Sequence, residues 1–253
     1  MKHTVALILC GGEGTRLRPL TFYFQKTMLP IGLNQKPLLE YIVRLLKYHG
    51  INDIVMLVGY KYKQIINYFE DGSRFGVHIK YICDDPKFPG TGGALLNALR
   101  QNAFNPKDTL LIYYGDILSN INLTEMLNLH HKTNAACTIA LARGYRVRVG
   151  VAEIKEGRII RLIEKPSLDF PVTIGILAIE GRIIETLRKK GSFKRGMDIM
   201  GDIIPELIDQ GYKVIPYVTN AFWYDIGSTE RYEKLNHAEV NHLFEFLFEE
   251  SQR

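Results

Sequence analysis

The sequence predicts an α/β fold, a doubly wound, mostly parallel (Rossmann-like) mixed sheet flanked by helices, with a small antiparallel extension. Short apolar runs alternate with segments of helical spacing through the first half of the chain. A glycine-rich loop directly follows the first apolar run, at residues 10–14. In the second half, two apolar runs flank Glu156-Gly157, a pattern typical of an antiparallel hairpin. These three observations together favour this fold class.

The order of the predicted elements follows from these patterns. Apolar runs in the first half predict strands at 5–9, 53–58, 78–83, 109–114 and 136–142. Amphipathic segments predict helices at 38–48, 62–69, 91–102 and 123–132, the first closed by Gly50. In the second half we expect strands at 151–155, 158–164, 174–179, 213–218 and 223–226. Helices are expected at 183–190, at 202–210 and from 228 onward, with a weak point near 236–237.

Composition narrows the functional classes. The chain has 253 residues, 46% of them hydrophobic and 23% charged, as in ordinary globular proteins. No apolar run is long enough to cross a bilayer and no signal-peptide pattern opens the chain, so we expect a cytoplasmic protein with no membrane partner. A net charge of +5 favours anionic small molecules. Because the sequence has no dense Lys/Arg run, this positive charge does not indicate nucleic-acid binding.

Two smaller patterns receive structural interpretations. The basic cluster at 143–148 is read as a solvated loop. Cys10, Cys83 and Cys137 lie in or beside apolar strands and lack metal-ligand spacing. They are predicted to be buried, reduced thiols.

The glycine loop carries the strongest functional signal. Its glycines let the backbone turn sharply and approach a ligand, and successive N–H groups in such a turn bind anions. With Arg16 and Arg18 close by, the loop suits the phosphates of a nucleotide. On this loop alone, a Walker A motif, a dinucleotide fingerprint and a plain glycine turn stay open. This loop lacks the Gly-Lys-Ser/Thr ending of a Walker A motif. It also has Leu17 at the position where a dinucleotide fingerprint has its third glycine.

Two aspartates far apart in the sequence form a candidate metal site. Asp116 follows a predicted parallel strand, at the sheet edge where ligands of α/β proteins bind. Asp225 lies in Trp223-Tyr224-Asp225-Ile226-Gly227. Carboxylates combined with phosphate oxygens suit Mg²⁺, a hard cation. For Asp116 alone, a turn or capping role is the alternative.

Two adjacent segments resemble the start of the sugar-1-phosphate nucleotidylyltransferases. The family signature reads roughly Gly-Gly-x-Gly-Thr-Arg-Leu-x-Pro-Leu-Thr and then Pro-Lys-Pro-Met-Leu-Pro. Residues 11–21 fit the first part throughout, and Lys26 and Met28-Leu29-Pro30 fit the second. Gln25 and Thr27 stand where the family usually has prolines. Further matches are Gly115-Asp116, the segment around Asp225, Glu164-Lys165-Pro166 and the loop at 89–94.

The resemblance implies a role for each matching residue. Arg16, Lys26 and Asp116 would be catalytic, and Asp116 and Asp225 would bind Mg²⁺. The implied nucleotide-binding residues are Leu9, Gly11, Gly12, Gly14, Thr15, Arg16, Asp85, Gly90 and Thr91. The implied sugar-phosphate-binding residues are Gly150, Glu164, Lys165, Thr173 and Gly175, with Thr173 in place of the family's asparagine.

The implied substrates are an NTP and a sugar 1-phosphate, which give an NDP-sugar and pyrophosphate. Asp84 and Asp85 favour GTP, because carboxylates accept hydrogen bonds from guanine, and mannose 1-phosphate is the favoured sugar. Uridylyl, thymidylyl or cytidylyl transfer to glucose 1-phosphate and guanylyl transfer to a heptose phosphate stay open. So does a non-catalytic, NDP-sugar-binding regulatory subunit. A nicotinamide-dependent oxidoreductase is disfavoured by the missing third glycine.

The resemblance also frames the organisation of the chain. We expect a single domain over 1–253, with a nucleotide-binding half over about 1–145 and a sugar-binding half over about 146–253. The sequence contains no hexapeptide repeats, so we expect no left-handed β-helix domain. A homo-oligomer is expected. The apolar segment at 243–248 is either a packed core helix or a subunit interface.

Overall fold

The computed structural model describes residues 2–145, 147, 149–167, 170–191 and 194–249. The described strands are β1 Thr4–Cys10, β2 Pro30–Ile31, β3 Lys36–Pro37, β4 Asp53–Val58, β5 His78–Cys83, β6 Thr109–Tyr114, β7 Ile117–Ser119, β8 Cys137–Ala142, β9 Val151–Lys155, β10 Arg158–Ile163, β11 Val172–Glu180, β12 Val214–Thr219 and β13 Trp223–Asp225. The described α-helices are α1 Leu38–Tyr48, α2 Tyr62–Phe69, α3 Thr91–Arg100, α4 Leu123–Lys132, α5 Gly181–Lys189, α6 Ile204–Asp209, α7 Thr229–Glu233 and α8 His237–Phe244.

Seven strands form the central sheet in the order β12-β8-β11-β6-β1-β4-β5. The strands from β6 to β5 run parallel, as do β12 and β8, whereas β11 is antiparallel to both of its neighbours. Buried apolar clusters line both faces of this sheet. The predicted fold class, including its antiparallel extension β9–β10, is confirmed.

The sheet topology positions the functional loops. From β1 the chain continues to β4 and β5 on one side, while β6 pairs with β1 on the other. Such a reversal of strand order opens a crevice at the carboxyl ends of the strands. The loops that follow β1 and β6 therefore meet at this crevice.

The expected weak point near 236–237 in the C-terminal helix is confirmed. The helix is divided there into α7 and α8, because the Asn236 side chain accepts hydrogen bonds from the amides of Ala238 and Glu239 and starts a new helix. Two other expectations about local structure need revision. The segment at 202–210 begins earlier than expected, with a π-helical turn at Ile199–Ile203 that leads into α6. Cys10 and Cys137 are buried as expected, but Cys83 is exposed at the end of β5.

The apolar C-terminal segment packs on its own chain. Phe244 and Leu247 are buried. The Tyr41 ring on α1 meets the rings of Phe244 and Phe248 edge-on, with centroids 5.6 and 5.1 Å apart. The core-packing interpretation of 243–248 is therefore confirmed. In the basic cluster at 143–148, residues 146 and 148 lie outside the described residues.

No described helix is long and apolar enough to span a membrane.

Candidate active site

The glycine loop leaves the carboxyl end of β1 and closes into a single 3₁₀ turn. Gly14 adopts a left-handed φ of +62°, and the Leu17 amide donates to its carbonyl over 2.8 Å. Leu17 is buried and anchors the turn, whereas Gly12, Thr15 and Arg16 are exposed. The predicted phosphate loop thus presents its backbone and one guanidinium group to solvent beside the crevice.

Lys26 lies across this loop. Its Nζ forms a 2.7 Å ion pair with Asp116 Oδ2, and both side chains are largely buried. A Cβ on Gly14 would come within 3.0 Å of the Lys26 Cβ, and one on Gly12 within 3.5 Å of the Lys26 Nζ. The loop therefore needs glycine at position 14 both for its backbone conformation and for the passage of the lysine side chain.

A small antiparallel ladder brings the two candidate metal ligands together. Strand β13 pairs with β7 so that Asp225 lies opposite Ile117. The Ile226 amide donates to the carbonyl of Asp116 over 2.9 Å. Asp116, directly before β7, and Asp225, the last residue of β13, are therefore held next to each other, although they lie far apart in the sequence.

Basic side chains surround these carboxylates. Asp225 Oδ2 pairs closely with Arg231. Gly227 lies between Asp225 and Arg16, because a Cβ there would be 2.7 Å from Asp225 Oδ1 and 3.4 Å from an Arg16 Nη atom. No cluster of three or more potential metal ligands occurs among the described residues. Two carboxylates facing a phosphate loop nevertheless fit a hard divalent cation that takes its remaining oxygens from substrate and water.

A cleft of about 700 Å³ lies in the crevice beside the glycine loop. It is lined by most of the predicted nucleotide-binding residues, namely Leu9, Gly11, Gly12, Arg16, Asp85, Gly90 and Thr91, together with Lys26 and Asp116. Gly14 and Thr15 lie in the adjoining turn. The residues that the sequence analysis assigned to nucleotide binding therefore lie in or beside a single cavity.

Asp84, which the sequence analysis names with Asp85 only as an acceptor for guanine, lies closer to the glycine loop than Asp85 does. Its Oδ2 occupies the space that a Cβ on Gly11 or Gly59 would fill, at 2.1 and 2.2 Å. Burial raises the pKa of the Asp84 carboxyl. Asp85 also lines the cleft but uses Oδ1 to accept a hydrogen bond from the Lys87 amide over 2.9 Å. The two carboxylates thus face different surroundings, although only Asp85 is among the nucleotide-binding residues implied by the resemblance.

The loop that begins α3 is tied to a distant segment. The Thr91 hydroxyl donates to Asp198 Oδ2 and accepts from the Ile199 amide, both over 2.8 Å. The amide of the next residue, Gly92, donates to the Met197 carbonyl over 2.9 Å. The Thr91 hydroxyl is therefore engaged within the protein. Asp198, 107 positions away in the sequence, therefore holds this loop in place, and no sequence pattern predicted that contact.

A second cleft, of about 450 Å³, adjoins Asp225. It contains Thr173 and Gly175, both predicted to contact the sugar phosphate. The rings of Tyr145 and Trp223 stack there with centroids 6.1 Å apart, a pair that the sequence did not single out. Apolar ring faces beside polar groups suit a sugar ring.

The remaining predicted sugar-side residues lie elsewhere. Gly150 precedes β9, and Glu164 and Lys165 follow β10. The side chains of Glu164 and Lys165 are 70% and 63% exposed and lie 3.6 Å apart. Gly150 contacts Glu164, since a Cβ on this glycine would be 3.1 Å from Glu164 Oε2. These three residues form their own group and line neither of the two clefts.

Comparison with known proteins identifies the family. A family profile described as nucleotidyl transferase matches residues 5–241. The chain belongs to this family. It is 33% identical over 245 residues to a UTP–glucose-1-phosphate uridylyltransferase of Synechocystis sp., covering 90% of this chain and 61% of the relative. It is 31% identical over 237 residues to a mannose-1-phosphate guanylyltransferase of Mycobacterium tuberculosis, covering 89% and 61%.

The same fold also appears in solved structures. HddC from Yersinia pseudotuberculosis matches with a TM-score of 0.69 and 23% identity over 92% of this chain and 97% of that one, a likeness of fold alone. The resemblance to sugar-1-phosphate nucleotidylyltransferases is confirmed by the names of the relatives. This chain spans about three fifths of the length of the two curated relatives, at 61% of each.

Proposed function

We propose that this nucleotidyl transferase joins an NTP to a sugar 1-phosphate, giving an NDP-sugar and pyrophosphate. The observation that carries the proposal is the Lys26–Asp116 ion pair lying across the glycine loop. It puts a cation and a carboxylate at the point where Arg16 and Asp225 also converge. Phosphate transfer needs such positioning and charge neutralisation more than it needs acid–base chemistry.

In the proposed reaction, an oxygen of the sugar phosphate attacks the α-phosphorus of the NTP. The bond from the α-phosphorus to the bridging oxygen breaks, and pyrophosphate leaves with the electron pair. The attacking oxygen is already anionic, so no general base is required. Arg16 holds the β- and γ-phosphates, and Lys26 neutralises charge that develops on the α-phosphate. Lys165 orients the attacking phosphate, with its exposed ammonium group moving onto the substrate.

Asp116 and Asp225 would hold Mg²⁺ in this reaction. A divalent cation bound there supplies charge neutralisation and brings the two anionic substrates together. The ion pairs that these carboxylates form with Lys26 and Arg231 keep both of them oriented in the free protein. Removal of divalent cations with EDTA should abolish turnover, and added Mg²⁺ should restore it.

For the substrates, we favour GTP and mannose 1-phosphate. Asp84 and Asp85 both line the cleft beside Gly90 and offer acceptors for guanine N1–H and N2–H₂. The relatives by name use different bases, uridylyl in one and guanylyl in the other. Uridylyl, thymidylyl or cytidylyl transfer to glucose 1-phosphate, or guanylyl transfer to a heptose phosphate, are therefore the alternatives to distinguish.

The deciding experiment measures pyrophosphate release with Mg²⁺. GTP, UTP, dTTP, CTP and ATP are each combined with mannose 1-phosphate and glucose 1-phosphate. Release confined to certain pairs supports the proposed reaction and names the substrates. If no pair reacts, including pairs with a heptose 1-phosphate, while an NDP-sugar still raises the melting temperature, the chain is instead a non-catalytic NDP-sugar-binding subunit.

A further inference from the structure

One buried hydroxyl in the candidate active site has no hydrogen-bond partner in the protein. Among the described residues, four buried polar side-chain atoms lack such a partner, namely Asn52 Oδ1, Tyr113 Oη, Tyr114 Oη and His237 Nδ1. Of these four residues, only Tyr114 lines either of the two clefts of the site. A buried hydroxyl without a partner costs free energy. At the wall of a cleft, that cost is removed if a ligand supplies the partner.

Tyr114 lies between the two clefts. It is the last residue of β6, two positions before Asp116, and it lines the cleft beside the glycine loop. Gly175, which lines the second cleft, packs against it from the other side. A Cβ on Gly175, whose φ is +73°, would be 3.2 Å from the Tyr114 Cβ. The tyrosine is therefore placed where a ligand in either cleft could approach it.

The neighbouring hydroxyl does not satisfy Tyr114. Thr91 is close enough to influence the phenol, but it donates its own proton to Asp198 and accepts from the Ile199 amide. The phenol is protonated at neutral pH, so it can donate one hydrogen bond and accept another. Its oxygen is covered by neighbouring atoms in the free protein. Contact with a ligand therefore requires a shift of the tyrosine ring or of the Thr91 side chain.

The charges around the phenol indicate which ligand group suits it. The carboxylates of Asp116 and Asp198 both act on Tyr114 through their negative charge. They would repel an anionic phosphate oxygen at this point, whereas they would not repel a neutral hydroxyl. A hydroxyl also donates and accepts, as the phenol does, so the two groups can satisfy each other. The surroundings therefore favour a ligand hydroxyl over a ligand phosphate.

We propose that Tyr114 is a specificity-determining residue whose hydroxyl binds a hydroxyl group on a sugar ring of the substrates. The ring is the ribose of the NTP or the ring of the sugar 1-phosphate, because Tyr114 lies between both clefts. The inference rests on the proposed function, which supplies both rings. An analogue that lacks the contacted hydroxyl would leave Tyr114 unpaired, so the site discriminates against it.

The test compares Tyr114→Phe with the wild type by calorimetric binding in the presence of Mg²⁺. The probes are GTP and GDP-mannose, or the corresponding pair if pyrophosphate release selects other substrates. A contact with the ribose should raise both dissociation constants roughly 2- to 10-fold, and a contact with the second sugar should raise only that of the NDP-sugar. The melting temperature of the free variant should equal or exceed that of the wild type, because no hydrogen bond within the protein is lost.

Tyr113→Phe is the matched control. The Tyr113 hydroxyl is also buried without a partner, but its side chain packs in the core on the opposite face of β6. Tyr113→Phe should therefore leave both dissociation constants unchanged. Deoxy analogues then identify the hydroxyl, since the analogue that lacks it should bind the wild type and Tyr114→Phe equally well.

Unchanged binding of both probes to Tyr114→Phe would overturn this inference. So would an equal loss of affinity in Tyr113→Phe, or a lower melting temperature of Tyr114→Phe alone, since either result assigns the hydroxyl a structural role. A wild-type chain that binds the NDP-sugar without releasing pyrophosphate refutes only the proposed reaction, because the Tyr114 contact is still measured by binding. A wild-type chain that binds neither probe refutes both.

Discussion

The side chain of Gln25 accepts two hydrogen bonds from Thr27, and Lys26 projects from between them. Gln25 Oε1 lies 2.6 Å from both the amide and the hydroxyl of Thr27. Its Nε2 donates to the Cys10 carbonyl at the end of β1 over 2.6 Å. Gln25 and Thr27 are fully buried. The lysine loop is thus held to the central strand by hydrogen bonds at the two positions where the family signature has prolines.

Replacing Gln25 should therefore loosen the lysine loop. Gln25→Leu keeps the volume but leaves the Thr27 amide and the Cys10 carbonyl buried without partners. We expect a loss of roughly 1–3 kcal/mol in the free energy of unfolding, together with a lower kcat because Lys26 is less well fixed. Denaturant unfolding and steady-state kinetics measure the two effects. Gln101→Leu, at an exposed glutamine after α3, is the control. Equal stability of the two variants would contradict the role given to Gln25.

Lys26 and Asp116 should be needed for turnover and not for folding. Lys26→Met and Asp116→Asn each break the ion pair across the glycine loop. We expect kcat to fall by on the order of 10²–10³-fold or more, because charge stabilisation in the transition state is lost. Lys80→Met, at an exposed lysine on β5, should retain full activity. Near-normal kcat in either site variant, with melting temperature and spectrum unchanged, would refute the assignment.

The Thr91–Asp198 contact should control nucleotide affinity. Thr91→Val removes the hydroxyl that bonds both Asp198 and the Ile199 amide. Since this loop begins α3 at the proposed nucleotide cleft, we expect KM for the NTP to rise by about tenfold, a loss of about 1.4 kcal/mol. KM for the sugar phosphate should change little. Thr186→Val, which removes an exposed helical hydroxyl, is the control. Equal increases in both KM values would argue against a specific role at the nucleotide loop.

His3, which precedes β1 at the end of the sheet opposite the candidate active site, should make the stability of the protein depend on pH. Hydrogen bonds that the His3 ring donates to Asp53, over 2.7 Å, and to Asp108, over 3.2 Å, raise the pKa of His3. A raised pKa stabilises the folded state below the unfolded value of about 6.5, and this contribution is lost as pH rises through the folded pKa. His3→Gln should therefore flatten the fall in melting temperature that begins as the pH rises above about 6.5. His242→Gln, on α8, should reproduce the wild-type slope; a His3→Gln curve parallel to wild type would exclude this origin.

Much of the fold could be predicted because its signals are local. Helix α1 and strand β4 have the bounds that apolar periodicity predicted, since each buries a regular face. Gly50 ends the first helix region with φ of +73°, as a glycine after a helix should. The convergence of Asp116 and Asp225 was also predictable in outline, because both follow recognisable sequence patterns.

The rest depends on contacts between distant residues. The link from Thr91 to Asp198 arises only when the second half packs on α3, so no local pattern marks Asp198. Residues 84 and 85 are both aspartates, and only the packing of Asp84 against Gly11 distinguishes them. The exposure of Cys83 was missed for the same reason, since an apolar sequence context does not reveal which side of an edge strand is covered.

Two of the three cysteines are buried and one is exposed, so a thiol reagent should label the protein at a single residue without mutagenesis. Burial raises the pKa of Cys10 to about 12 and raises that of Cys137 as well, so neither forms thiolate at neutral pH. Cys83 is exposed, and its neighbour in the chain, Asp84, lines the proposed nucleotide cleft. A thiol-reactive fluorophore should attach at this single position. Its emission would then report nucleotide binding directly, in the natural sequence and in every variant described above.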